Sequence, residues 1–138
     1  HPWYEALSRL ENTTQCESQL MPKRNKALTG VKSIEWAAGL FEGEGYLSRT
    51  RNRWDMAIKM TDRDVLQDFL DIVKCGTLYG PYHSASMKEH HRPYYRWRTY
   101  NNREIFRIIA EFYPLMGERR LEKFNEFLSF FITTTTTN

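Results

Sequence analysis

Two rhythms of apolar and polar residues run along this chain, one of period 3.6 and one of period two, and their order predicts its elements. From Ser33 to Glu44 the pattern is helical: Ser33 is an N-cap type, Glu35 sits in the first turn, and Gly45 supplies a left-handed stop. Two strands joined by a turn near Arg51-Asn52 follow. In the second, Trp54, Met56, Ile58 and Met60 alternate with Arg53, Asp55, Ala57, Lys59 and Thr61, giving one apolar face and one polar, partly basic face. In the first, Leu47 points to the core and Tyr46, Ser48 and Thr50 point out. Arg49 and Arg51 then fall on the inner side, which places them beyond the edge of the core.

Thr61-Asp62-Arg63-Asp64 reads as a capping box opening a helix with Val65, Leu66, Phe69, Leu70 and Val73 on one stripe. Thr77-Leu78-Tyr79 is a short strand ending at Gly80-Pro81, and residues 82–93 read as a polar loop. From Tyr94 to Tyr100 the alternation sets Tyr95, Trp97 and Thr99 against Tyr94, Arg96 and Arg98. Asn101 or Asn102 caps a helix carrying Ile105, Phe106, Ile108, Ile109 and Phe112, which Pro114 ends. Gly117-Glu118-Arg119-Arg120 opens a last helix with Leu121, Phe124, Phe127, Leu128 and Phe131. The order α-ββ-α-ββ-αα predicts an α+β fold: one four-stranded antiparallel sheet with helices packed on one face and the other face left polar. Residues 1–30 form an N-terminal extension with a short helix near Trp3, Leu7 and Leu10 and a linker over 22–26. Residues 31–132 form the single domain, and 133–138 a low-complexity threonine tail outside the fold.

At 138 residues and 41% apolar, the chain suits one domain with a real core rather than global disorder. Two cysteines, Cys16 and Cys75, exclude a disulfide framework or a four-cysteine zinc site. His83, His90 and His91 with Cys75 fit no zinc spacing. No run approaches the roughly 20 apolar residues of a membrane helix. Glu5, Arg9 and Glu11 stand where a signal peptide would be apolar, so an intracellular location is expected. The chain opens on His1 rather than Met, which leaves open that it is part of something longer.

The net charge of +3 is small, but its distribution is uneven. Residues 46–61 hold four bases against one acid, and residues 76–103 hold five against one, so the rest of the chain carries −4. A basic sheet face on an acidic body is the footprint of polyanion binding, and such a face has a shape that lies in a DNA major groove.

The segment Ile34 to Gly45 breaks two local rules. Ile34, Ala38 and Phe41 fall on one side of the helix, and Trp36, Gly39, Leu40 and Gly43 fall nearly opposite, so it needs two partners. Each glycine costs about 1 kcal/mol against alanine within a helix. Two of them four apart admit a facing backbone at van der Waals contact. No second glycine-rich helix exists in the chain, which favours a copy of the same helix across a two-fold axis. The second rule is electrostatic: Glu42 and Glu44 sit at the negative end of the helix dipole and need a compensating cation. Paired copies of Glu44 would converge there, an all-oxygen arrangement that suits Mg²⁺.

Ala37-Ala38-Gly39-Leu40-Phe41-Glu42-Gly43-Glu44-Gly45 resembles the motif of the LAGLIDADG homing endonucleases, departing at Ala37 for Leu and with Glu at both acidic positions. The element order resembles the family fold as well, over about residues 34–131. The resemblance implies a homodimeric, site-specific double-strand DNA endonuclease of a mobile intron or intein. Its host would be bacterial or phage, or an organelle. Trp36, Gly39, Leu40 and Gly43 would form the dimer interface. It implies that Glu44, with the carbonyl of Gly43, binds a divalent cation such as Mg²⁺. Asp62 would position water, cap its helix, or do both. Arg119, or Arg120 beside it, would meet the scissile phosphate. Tyr46, Ser48, Thr50, Arg53, Asp55, Lys59, Thr61, Tyr79, Arg96 and Arg98 would meet DNA. No small-molecule cofactor and no membrane is implied. The alternative is a non-cleaving nucleic-acid-binding protein of the same fold, such as a maturase or regulator.

Overall fold

The computed structural model describes residues 32–83 and 92–136. The helix expected near Trp3, the 22–26 linker, Cys16, His90 and His91 lie outside the described residues. The elements run α1 (Ile34–Glu44), β1 (Gly45–Thr50), β2 (Arg53–Met60), α2 (Arg63–Val73), β3 (Thr77–Tyr82), β4 (Tyr94–Thr99), α3 (Asn102–Phe112), a 3₁₀ turn (Tyr113–Leu115) and α4 (Glu118–Thr136). The strands form one antiparallel sheet in the order β1-β2-β4-β3, the α+β architecture that the element order predicts.

The alternation along each strand decides which side is buried. Leu47, Trp54, Met56, Ile58 and Trp97 point into one cluster with Phe41 of α1, Leu66 and Phe69 of α2, Ile105, Ile109 and Phe112 of α3, and Phe124 and Phe127 of α4. The aromatic rings meet edge-on at its centre: Phe69 lies 4.8 Å from Trp97 and Trp54 lies 5.2 Å from Phe127, both near-perpendicular. Trp97 completes its burial by donating its indole N–H to the Cys75 carbonyl at 2.9 Å. Asn101, rather than Asn102, caps α3, accepting from the amides of Arg103 and Glu104.

Four local expectations are corrected. Gly45 is not left-handed; its φ is −85°, in the extended region. Glycine is required there because a Cβ would stand 2.2 to 2.7 Å from the Phe41 ring. The left-handed stop belongs instead to α2, where Lys74 takes φ 60°. The capping box at Asp62 does not form; Asp62 occupies the cap position, but its side chain accepts no amide of the helix. The β3 strand does not end at Gly80-Pro81 but continues to Tyr82, with an irregularity in pairing between Tyr79 and Tyr82. The threonine run, excluded from the fold on composition, continues α4 to Thr136. Thr134 and Thr135 donate to the carbonyls of Phe130 and Phe131 four residues back, so their hydroxyls are satisfied without leaving the helix.

Arg49 does fall beyond the core edge. Its side chain roofs the rings of Trp54 and Phe130, 5.8 and 5.1 Å from their centroids, while its Nε donates to the Arg51 carbonyl at 2.9 Å.

The Phe41 contact yields a test. Gly45→Ala meets no backbone obstacle at this φ, so its cost is purely steric. A loss of about 1–3 kcal/mol is expected from overpacking, read as a lower urea midpoint at unchanged slope. An unaltered midpoint would mean that the Phe41 ring moves aside freely.

Candidate nucleic-acid interface and acidic helix end

The outer face of the sheet is built row by row from the strand register. Tyr46, Ala57, Arg98 and Thr77 make one row, and Lys59, Arg96 and Tyr79 the next. Ser48 stands beside Asp55, and Thr50 beside Arg53. All strand residues assigned to DNA by the sequence therefore share this face, and Thr61 lies just past the end of β2. Ala57 is fully buried on it, flanked by Tyr46 and Arg98.

The charges on this face are not equivalent. Arg98 is locked: its Nε and one terminal nitrogen donate to the two Asp55 carboxylate oxygens at 3.0 and 3.1 Å, and that terminal nitrogen also reaches the Tyr46 hydroxyl at 3.0 Å. Burial works against the Arg98 charge, but the Tyr46 hydroxyl and the Asp55 carboxylate outweigh it and raise its pKa above that of an ordinary arginine. Arg53 stacks 3.5 Å over the Tyr100 ring and Lys59 sits 4.3 Å over Tyr94, so each side chain is steered by an aromatic plane. Arg53, Lys59 and Arg96 have no carboxylate partner among the described residues.

The motif helix has the two-sidedness its sequence predicts. Ala37, Ala38 and Phe41 are buried, whereas Gly39 and Gly43 are exposed and Trp36 and Leu40 are half-buried. Among the described residues no atom lies within 4 Å of where a Cβ at Gly39 or Gly43 would stand, so their side chains leave the notch open. Lys32 covers part of this side from 5.3 Å above the Trp36 ring.

Glu44 is exposed at the last position of α1, and β1 begins at the next residue. Gly45 pairs with Ile58, so α1 ends at the same end of the sheet from which β2 runs out through Lys59 to Asp62. Asp62 is partly exposed and accepts from Arg92 at 3.1 Å, and Arg92 also donates to the Thr61 hydroxyl at 2.9 Å. Arg119 is exposed in the first turn of α4 and makes no hydrogen bond or ion pair among the described residues. Arg120, its near alternative, is occupied: it binds the Glu42 carbonyl oxygen and carboxylate at the end of α1.

Among the described residues no three acidic, histidine or cysteine side chains gather as a metal cage. One chain offers one exposed carboxylate at the helix end, with the Gly43 carbonyl one residue before it. These are hard oxygen donors, the kind Mg²⁺ accepts alongside water and phosphate oxygens. Burial pushes the Cys75 thiol up despite the nearby Arg107. His83 is exposed. No helix among the described residues is long and apolar enough to cross a membrane.

No protein-family model matches the chain, and no curated protein sequence matches it. Solved structures do. The homing endonuclease I-TnaI is similar over 77% of this chain and 76% of its own, with a TM-score of 0.57 and 18% identity. The LAGLIDADG meganuclease I-CpaMI, solved bound to uncleaved DNA, is similar over 71% of this chain with a TM-score of 0.57 and 14% identity. This chain spans only 35% of its length. The homing endonuclease I-CvuI, solved in complex with its target in the presence of calcium, is similar over 65% of this chain and 60% of its own, at a TM-score of 0.50 and 16% identity. The chain has the LAGLIDADG endonuclease fold.

Within this LAGLIDADG fold, sequence reasoning missed the contacts that join distant segments. Arg92, on Asp62, stood in a stretch that reads as loop. Tyr94 and Tyr100 carry cations, and the parity of β4 placed Tyr94 outward without showing what it would hold. The pairing of Glu42 with Arg120 had one signal, the unmet need for a cation at the end of α1.

The Arg98 lock is testable. Asp55→Ala leaves a guanidinium that is about four-fifths covered with only the Tyr46 hydroxyl. The expected loss is about 1–3 kcal/mol in urea unfolding. A variant as stable as the parent would show that solvent replaces the carboxylate at no cost.

Proposed function

We propose that this chain is one subunit of a homodimeric, site-specific double-strand DNA endonuclease that hydrolyses phosphodiester bonds with a divalent cation. The observation that carries this reading is the open notch at Gly39 and Gly43 on the helix that ends in exposed Glu44. Two interior glycines sacrifice about 2 kcal/mol of helix propensity and gain no close packing among the described residues. A second α1 seated there, with Trp36 and Leu40 flanking the notch, offsets that cost and brings two Glu44 carboxylates together. The fold shared with DNA-bound endonucleases supports the same reading.

In this reading the outer sheet face lies in the major groove. Arg53, Lys59 and Arg96 neutralise phosphates or read guanine edges, while Ser48, Thr50, Thr61 and Tyr79 offer neutral donors and acceptors. Asp55 and Arg98 hold each other, so they present a rigid, paired surface. Glu44 and the Gly43 carbonyl would hold the metal ion, which when bound would supply Lewis-acid activation of water and stabilise charge on the phosphate. Arg119 places positive charge against the phosphate oxygens as they become more negative. Asp62, oriented by Arg92, is placed to orient the attacking water.

Incubation with a randomised duplex library and Mg²⁺ tests this. The parent is expected to cut a specific duplex, and Glu44→Gln to bind the same duplex with cutting reduced at least 1,000-fold, on the order of the loss of a group that acts on the transition state. Parent and variant both binding duplex, with neither cutting, would replace the enzyme with a binding protein of the same fold.

The dimer has its own check. Sedimentation at micromolar concentration is expected to give twice the chain mass for the parent and the chain mass for Gly39→Leu, whose side chain blocks the notch. A parent that sediments as a monomer on and off DNA would refute the shared helix interface.

A further inference from the structure

Glu42 is the motif acid that the proposed chemistry leaves unused, and Arg120 is the base beside Arg119 that is not free. Arg120 Nε and one terminal nitrogen donate to the Glu42 carbonyl oxygen at 3.2 and 3.1 Å, and Nε lies 3.4 Å from the Glu42 carboxylate. The guanidinium is 5.4 Å from the Phe41 ring centroid, and the side chain is only 17% exposed. The other Glu42 oxygen accepts from the amide of Gly117, the residue whose own carbonyl takes the Leu121 amide and so begins α4.

Each helix end supplies what the other lacks. The last carbonyls of α1 have no partner within the helix, and Arg120 binds one of them. The first amides of α4 are likewise unpartnered, and the Glu42 carboxylate takes one. The two ends are joined by groups 75 to 78 residues apart in sequence. Gly43 and Glu44 follow Glu42 directly, and Arg119 lies between Gly117 and Arg120.

We propose that the clasp of Glu42, Gly117 and Arg120 is a positioning device: it sets the metal-binding pair Gly43 and Glu44 against Arg119. Arg120 and Glu42 are positioning residues and touch neither metal nor phosphate. The proposal rests on the endonuclease reading above. A misplacement of about 1 Å at a reacting centre costs up to about 100-fold in rate. The clasp is therefore worth far more to the chemistry than to affinity for DNA, which the sheet supplies.

Arg120→Lys keeps the charge but loses the planar fork that spans the carbonyl and carboxylate. It is expected to lower the single-turnover cutting rate by about 10–100-fold and to raise the Mg²⁺ concentration for half-maximal rate several-fold. Duplex affinity measured with Ca²⁺ in place of Mg²⁺ is expected to stay within about threefold, since the outer face is untouched. Glu42→Gln retains an acceptor for the Gly117 amide and the carbonyl for Arg120, so it is expected to keep most of the rate, whereas Glu42→Ala behaves like Arg120→Lys. A lower thermal midpoint with an unmoved Mg²⁺ midpoint would make the clasp merely structural and overturn the proposal. So would an unchanged rate. If the parent cuts no duplex, the endonuclease reading fails separately, and amide exchange judges the clasp. Faster exchange confined to Gly43, Glu44 and Gly45 in Arg120→Lys upholds it as what holds the end of α1, and unchanged exchange there refutes it.

Discussion

The contact between the Phe41 ring and the bare α-carbon of Gly45 is the constraint on which the arrangement depends. Phe41 is fully buried and wedged between Phe112 and Phe124, each 5.9 Å away. It thus occupies the space that any side chain at 45 would need. With that space filled by a glycine Cα, the chain passes from helix to strand with no loop between them, and Gly45 is both the cap of α1 and the first residue of β1. The position of the Glu44 carboxylate is therefore a consequence of core packing. Three elements would have to shift before it did, and interiors packed at crystal-like density resist such shifts.

Electrostatics at that junction follows from the same packing. Two acids at the negative end of a helix are unfavourable, and a charge there must be answered. From the sequence alone the answer looked like a metal ion shared with a second copy. The structure supplies it within the chain for the first acid: Arg120, held over Phe41 and largely shielded from water, binds the Glu42 carbonyl and carboxylate. In such a partly shielded place the attraction exceeds what the same pair would gain in water. The helix end is thus satisfied without Glu44, whose carboxylate stays exposed. An exposed, unused carboxylate on a rigid mount is what a metal-binding role requires.

Features whose cause is local were legible in the sequence. The period-two alternation of β2 gave its buried face residue by residue, and helix spacing separated Phe41 from Gly39. What was not legible arises at long range. Asp55 and Arg98 are 43 residues apart, and nothing in either strand says they will pair, because strand order is set by the whole sheet. The sequence placed Arg98 on the outward face but did not show that Asp55 holds it there. Gly45 misled for a different reason: a glycine after a helix usually signals a left-handed residue, and here it signals a neighbour's ring. The threonine run misled because its composition has no packing period, while hydroxyls that bond back to carbonyls let a helix continue without one.

This difference between locked and unlocked charge bears on how such a face would recognise a duplex. Counting all bases on the strands overstates the electrostatic contribution, because Arg98 is already neutralised by Asp55. On the described outer face Arg53, Lys59 and Arg96 remain, and each phosphate that such a cation neutralised would contribute roughly 0.9 to the slope of log affinity against log salt. Three such contacts per subunit would give a modest electrostatic contribution with a shallow dependence on salt. The proposed dimer would double that number on one duplex, since the second face would be held by the first and would not have to find the DNA independently. Open notch and sparse charge are therefore connected in the proposed dimer: a face with so few unpaired cations among the described residues would grip DNA better when two are joined, and the notch at Gly39 and Gly43 has room among the described residues for a close backbone.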